Sequence, residues 1–315
     1  MRLRKEKWSS AGRIAAVMVA SMAGLWPAGG QKLPVPAATP FRVDSTLVLV
    51  PITVTDHRGA IVSGLPRDAF TVTEDGVRQQ IRSFTQEDVP VSMGIVLDLS
   101  GSMRPLLGRA KESLRTLLEN SNPADEAFLN AVSTKPRAYS GFTHSFDEIL
   151  SRVVFEDAGG NTALVDTVYD SLQQLRSGVH ARKALLVISD GMDNHSRHSK
   201  GELLERARES DAQIYTIAVS PETPSYAKAI ELTEEKRGVL FLDELAVKTG
   251  GIGFVVHNRT DIAAAAARIG QVLRNQYTIG YAPRGNSRNS QWRRIKVSVA
   301  GSGMRAYARM GYRFD

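Results

Sequence analysis

Five oxygen-bearing side chains stand where a hard cation could be held: Asp98, Ser100, Ser102, Thr162 and Asp190. Asp98, Ser100 and Ser102 fall in Gly94-Ile95-Val96-Leu97-Asp98-Leu99-Ser100-Gly101-Ser102-Met103, where the apolar run from Met93 to Leu97 gives way at once to Asp-x-Ser-x-Ser. An apolar run that ends in turn residues marks a buried strand reaching the rim of a sheet. Oxygen ligands of this kind suit Mg²⁺ and related divalent ions. Taken alone, the stretch reads better as a turn with Ser102 capping the next helix, because strand-to-helix turns are rich in Ser and Asp that only cap. Asp190 and Thr162 change that balance. Asp190 lies in Ser189-Asp190-Gly191, which ends a second apolar run, Ala184 to Ile188, and Thr162 lies in Ala158-Gly159-Gly160-Asn161-Thr162-Ala163-Leu164 ahead of a helical pattern. Ligands of open α/β sheets bind outside the carboxyl ends of the strands, so three loops of one sheet edge would converge. Gly159 and Gly160 would let the backbone come close to a bound ion.

The elements that must position these residues are legible from their periods. Between Val91 and Asn275, strand-like runs alternate with helical stripes. Met103, Leu106, Leu107, Ala110, Leu114, Leu117 and Leu118 recur at helical spacing, as do Leu164, Val168, Leu172 and Leu175, and Ile262, Ala266, Ile269 and Leu273. Strands are expected at 128–132, 184–188, 213–219 and 254–256, and further helices at 146–154, 202–209 and 239–248. Such alternation predicts an α/β fold with a doubly wound, mostly parallel, Rossmann-like sheet. The flanks differ. Thr46 to Thr55 alternates, Ala69–Thr73 and Val77–Phe84 are joined by the hairpin signal Glu74-Asp75-Gly76, and 277–281, 292–299 and 305–314 alternate again. Neither flank is large enough to be stable alone, so a small antiparallel β subdomain built from both chain ends is expected. The expected divisions are 43–90 and 276–315 for its two halves, with the α/β domain at 91–275.

Of the 315 residues, 42% are hydrophobic and 23% charged, as in an ordinary globular protein. The net charge of +7 suggests nucleic acid until its location is considered. Residues 1–30 carry five basic side chains and one acid, a net +4, which leaves only +3 for the rest. Arg293-Arg294 and Lys296 are read as the solvated face of a strand, so nucleic-acid binding gains little support. The basic start, the apolar Ile14 to Trp26, and Ala28-Gly29-Gly30 have the three-part layout of a secretory signal peptide over 1–30, followed by a Pro/Ala-rich linker at 31–42. The apolar run is short for a membrane span. Export to a periplasmic or extracellular space is therefore expected, without a membrane span after signal cleavage; an uncleaved anchor is the alternative. The chain has no cysteine, which excludes disulfides and thiolate metal sites.

Asp-x-Ser-Gly-Ser-Met, then Gly-Gly-Asn-Thr-Ala-Leu, then Ile-Ser-Asp-Gly-x-Asp together resemble the von Willebrand factor type A (VWA) domain with an intact metal-ion-dependent adhesion site, over roughly Val91 to Asn275. The segments Val62 to Phe70, Glu74-Asp75-Gly76, Leu273 to Tyr277, Gly280-Tyr281 and Gly311-Tyr312 resemble a group of exported bacterial VWA-related proteins, best known from acidobacterial genomes. The resemblance implies that Ser100 and Ser102 would bind the ion through their hydroxyls. Thr162 would contact it in a state-dependent way, while Asp98 and Asp190 would hold coordinated waters. The ion implied is Mg²⁺, with Mn²⁺ or Ca²⁺ as alternatives. The partner implied is a protein that donates a Glu or Asp carboxylate at the loops around Ser102, Thr162 and Asp190. By the same resemblance, ligand entry could shift the helix 262–275.

Other readings are weaker. Asp193 and Asn194 read as a solvated turn beside the site, and His195 and His198 as exposed histidines rather than transition-metal ligands. Tyr277, Tyr281, Trp292 and Tyr312 alternate in strands and read as core or inter-sheet residues rather than a binding platform. A phosphatase-like reading would make Asp98 a nucleophile with Asp190 holding Mg²⁺, but Ser100 occupies the place of the second carboxylate and no lysine is clearly placed for a phosphoryl group. Leu-Asp-Leu-Ser-Gly does not fit a hydrolase elbow, and phosphate-cradling loops are missing. The expectation is a non-enzymatic binding protein; the alternative is an assembly component whose metal site only stabilises the fold.

Overall fold

Apolar runs bounded by turn residues become strands here, and stripes of helical period become the helices that cover them. The computed structural model describes residues 47–138, 140–154, 159–220, 231–257, 259–283 and 292–313. The expected signal peptide and Pro/Ala-rich linker, and most of the loop 283–291, lie outside the described residues. In chain order the elements are β1 (Val48–Thr55), β2 (Phe70–Glu74), β3 (Val77–Gln79), β4 (Ile81–Thr85), β5 (Val91–Asp98), α1 (Leu107–Glu119), β6 (Glu126–Val132) and β7 (Arg137–Ala138). There follow α2 (Phe146–Val154), α3 (Leu164–Leu175), β8 (Arg182–Ser189), α4 (Lys200–Glu209), β9 (Ala212–Val219), α5 (Glu231–Thr249), β10 (Gly253–Val256) and α6 (Arg259–Arg274). The last strands are β11 (Tyr277–Tyr281), β12 (Trp292–Val299), β13 (Arg305–Tyr307) and β14 (Gly311–Arg313).

The central sheet has the order β10-β9-β8-β5-β6-β7 and is parallel except for the short edge strand β7. Side chains of alternate parity on β5 and β8 serve opposite faces. Met93, Ile95, Leu97, Leu186 and Ile188 pack with Leu114 of α1 and Ile269 of α6. Val96, Leu185 and Val187 pack with Val168 of α3 and Leu242 of α5. Each such side chain, fully buried, contributes roughly 1.5–3 kcal/mol. The chain runs from β5 to β6 on one side and returns to place β8 on the other, so the strand order reverses at the β5–β8 pair. That reversal opens a crevice beyond the carboxyl ends of these two strands.

Both flanks join in antiparallel pairing. One four-stranded sheet has the order β13-β1-β11-β4, and a second has β14-β12-β2-β3. Val50, Ile52, Phe70, Val72, Tyr277, Ile279, Tyr281 and Ile295 form one core from both sheets. The expected continuous strand 77–84 is instead two strands: β3 pairs with β2, and β4 pairs with β11 in the other sheet. The expected strand 305–314 is likewise split into β13 and β14.

Arg293 corrects the reading of 293–296 as a solvated face: it is buried, and its Nη1 donates to Glu74 Oε1 at 2.9 Å. Tyr281 and Tyr312 donate their hydroxyls to Glu74 Oε2 at 2.7 and 2.9 Å. Burial and the Glu74 charge push both phenols above the ordinary range. The joint between the flanking sheets and the α/β layer is also polar. Gln276, buried just after α6, donates through Nε2 to Thr53 Oγ1 (3.1 Å), Gln213 Oε1 (2.9 Å) and the Tyr215 hydroxyl (2.8 Å). Its Oε1 accepts from Arg182 Nη2 at 2.5 Å, and the same guanidinium reaches the Leu273 and Val89 carbonyls. No helix among the described residues is long and apolar enough to cross a membrane.

The Glu74–Arg293 pair gives a direct test of the flanking core. Arg293→Met should strand Glu74 as an uncompensated buried charge and cost about 3–5 kcal/mol in denaturant unfolding. The exposed neighbour substitution, Arg294→Met, should stay within about 0.5 kcal/mol of the parent.

Candidate metal centre

Parallel pairing of β5 and β8 sets the heart of the site. Leu97 registers with Ile188, which carries the next residues, Asp98 and Ser189, to adjacent strand ends. Ser189 donates its hydroxyl to Asp98 Oδ2 at 2.5 Å, and Ser189 Oγ accepts the Gly191 N–H at 3.0 Å. Asp98 Oδ1 accepts the Ser100 N–H at 2.8 Å, closing a tight turn. Ser100 Oγ lies 3.0 Å from Ser102 Oγ. Ser102 caps no helix, contrary to the capping reading. It sits in a 3₁₀ turn, Gly101–Met103, and α1 starts later at Leu107 without a side-chain cap.

Asp190 lies one residue beyond β8, and its Oδ1 accepts the Met192 N–H at 3.0 Å. Its turn is fixed by a close glycine–glycine contact. Gly191 has φ +77°, and a Cβ there would meet the Gly238 backbone at 2.4 Å. The helix α5, which begins earlier than the expected 239, carries a glycine in its body for this reason: Gly238 lets the helix approach the Asp190 turn.

Thr162 is buried in the loop before α3, with backbone rather than hydroxyl contacts. Its N–H donates to Asn194 Oδ1 at 2.9 Å, and its carbonyl accepts from the Asn194 and His195 N–H groups, both at 3.0 Å. The Gly159 N–H donates to the Leu99 carbonyl at 2.8 Å, tying the same loop to the Asp98 turn. Gly160 supplies the φ of +85° that this loop needs. All three loops are thus linked to one another, and the hydroxyl of Thr162 forms no hydrogen bond among the described residues.

Two residues read as a solvated turn do more than that. Asn194 holds Thr162, while Asp193 Oδ1 accepts the Val165 N–H at the start of α3 (3.2 Å) and the Ser196 hydroxyl (2.5 Å). His195 is exposed as expected, but His198 is half-buried. Its Nδ1 lies 2.7 Å from Asp166 Oδ1, and its ring stacks on Tyr169 at 4.2 Å. Ser189 escaped the sequence reading altogether. The signal that could have found it is the hydroxyl just ahead of Asp190, in register with Asp98 once β5 and β8 are paired.

The electrostatics define what the site can hold. Asp98 is fully buried, and burial raises its carboxyl to about 6 against the hydrogen bonds from Ser189 and Ser100. The charge of Asp190 raises it further. Among the described residues neither carboxylate forms an ion pair. Two carboxylates at adjacent strand ends, supplemented by hydroxyls, constitute an oxygen-only donor set that fits a hard divalent cation. Clusters of three or more His, Asp or Glu side chains placed for a metal do not occur among the described residues. The donors here are two carboxylates supplemented by hydroxyls.

Asp166, beside the site, behaves in the opposite way. Burial raises its carboxyl, but the N–H groups of His198 and Arg197 and their side chains together lower it to about 2. The stabilisation is therefore present above the unfolded value of 3.8 and disappears as pH falls through 2. Asp166→Asn should cost about 1–3 kcal/mol at pH 7. Urea titrations should show that difference shrinking between pH 4 and 2, and a pH-independent difference would contradict this account.

Residues 93–192 match the model of the von Willebrand factor type A domain. A search of curated proteins gave no match. Among solved structures, a von Willebrand factor type A protein from Catenulispora acidiphila is 12% identical, with 87% of this chain and 76% of that one covered at a TM-score of 0.50. BatB, a conserved hypothetical protein from Bacteroides thetaiotaomicron, is 16% identical over 57% of this chain and 99% of its own, with a TM-score of 0.44. The vWF domain of the type V pili tip protein Mfa5 from Porphyromonas gingivalis is 12% identical over 59% and 95%, with a TM-score of 0.45. The strand order reversing at β5 and β8, together with the match over 93–192, gives the α/β part of this chain a von Willebrand factor type A-like fold.

Proposed function

We propose that the chain is an exported, non-enzymatic binding protein, periplasmic or extracellular, that captures an acidic side chain of a partner protein in a divalent-cation-dependent way. Asp98, Ser100, Ser102, Thr162 and Asp190 would hold the cation, Mg²⁺ in the first instance, with Mn²⁺ or Ca²⁺ as alternatives. The observation that carries this reading is the buried Asp98 beside Asp190, neither of which forms an ion pair among the described residues. A hard divalent cation, when bound, supplies a positive centre that attracts a carboxylate oxygen from outside.

The chain's own residues make such a centre selective. Ser189 and the Ser100 N–H fix both oxygens of Asp98, so this carboxylate keeps one orientation. Ser102 is exposed at the rim, where a partner's side chain can reach it, whereas Ser100 is buried beneath. Asn194 grips the backbone of Thr162 and leaves its hydroxyl uncommitted. Among the described residues the site offers hydroxyls and carboxylates without a base-and-nucleophile pair, which favours docking over turnover.

Two measurements test this reading. Titration with Mn²⁺ followed by electron paramagnetic resonance should show one saturable site, weakened at least about tenfold in Asp98→Ala. Partner retention from an exported-protein fraction should require Mg²⁺, be released by chelator and disappear in Asp98→Ala with the circular dichroism unchanged. A saturable ion site whose loss leaves retention intact would instead assign the cation to stability alone.

A further inference from the structure

A cleft lies at the opposite end of the central sheet. The carboxyl ends of β5 and β8 carry Asp98 and Asp190, whereas Lys183 and Ala212, at the starts of β8 and β9, line this cleft of about 440 Å³. Its other walls come from the ends of α3 and α4 and from the segment 309–313, so it lies where the α/β layer meets the flanking strands. Such junctions are frequent ligand sites.

The cleft is strongly cationic. Arg176, Lys183, Arg206, Arg208, Arg309 and Arg313 line it, against only Glu209 and Asp211. Arg309 pairs with Asp211 at 2.5 Å and Arg313 with Glu209 at 2.8 Å. Arg208 is bonded to Glu205, outside the lining, and its guanidinium lies 4.3 Å over the Trp292 ring. Counting Glu205 as well, six cations still exceed three acids by three. In a chain whose residues beyond 30 carry only +3 in all, this is a local concentration of charge. Arg309 Nε is moreover a buried donor with no hydrogen-bond partner among the described residues. Like charges gathered at this density repel one another, and a bound anion relieves that repulsion.

We propose that this cleft binds a small polyvalent oxyanion of the phosphate class. Guanidinium forks match phosphate oxygens two at a time, and a cleft of this volume admits more than one phosphate group.

The test uses inorganic tripolyphosphate as the probe, with calorimetric titration of the full chain in chelator-free, magnesium-free buffer at fixed ionic strength. One saturable site is expected, weakened at least about tenfold by Arg176→Glu and by Arg313→Gln, each with unchanged circular dichroism. Arg115→Glu, an exposed reversal on α1 across the sheet, should leave affinity within about twofold. A nucleoside triphosphate binding tighter than tripolyphosphate would identify an organic phosphate as the ligand, and equal binding would identify the phosphates alone. The proposal fails if tripolyphosphate shows no saturable binding, or if Arg115→Glu weakens it as much as Arg176→Glu does.

Discussion

A carboxylate buried at a strand end, with a second one beside it, is the constraint around which this molecule is arranged. Burying Asp98 costs free energy that the apolar core alone cannot return, since every apolar neighbour raises that cost. What makes the position tenable is local. Ser189 is delivered by strand register, Ser100 by the turn, and the nearby hydroxyls complete an oxygen-rich shell. The strands must be parallel, adjacent and in this register for that to happen. The large aliphatic residues of β5 and β8 favour the register, because a shift of one residue would exchange the sets that pack against the two helical layers. The core therefore specifies the site, and the site in turn strains the core.

The loops share that strain unequally. Those carrying Thr162 and Asn194 are hydrogen-bonded to each other and anchored through Asp193 and Asp166 to the first turns of α3. The Asp190 turn is anchored by a backbone contact with α5 that only glycines permit. Ser102, by contrast, has one neighbouring hydroxyl and is exposed. The resulting rim is firm on two sides and open on the third.

Much of this could be read from residues in order, and what could not has a physical reason. Asp98, Ser100, Ser102, Thr162 and Asp190 announce themselves because each follows an apolar run or precedes a helical stripe. Ser189 does not, since its role exists only after β8 is laid against β5. Arg293 is similar: strand alternation puts it on the inward face, but its partner, Glu74, is more than two hundred residues away in sequence. The polar first turns of α5 carry no stripe, and Gly238 imitates a helix end because its reason for being glycine is Gly191. The split of 77–84 into β3 and β4 is hidden for the same cause: which sheet each half joins is decided by β2 and β11. Local period was legible; long-range pairing was not.

The pairing of β1 with β11 and β13, and of β2 with β12, has a consequence for the order in which the chain can assemble. The central sheet uses contacts confined to 91–256, so it can close while the flanking strands are still unpartnered. Strands β1 to β4, although made first, cannot complete their sheets until residues beyond 277 exist. Their early exposure makes them the slow, high-contact-order part of the fold and the segment most open to pairing with another chain during synthesis. Gln276 stands at that hinge in time as well as in space: it is the residue at which the finished α/β layer first meets the strands that have been waiting for it.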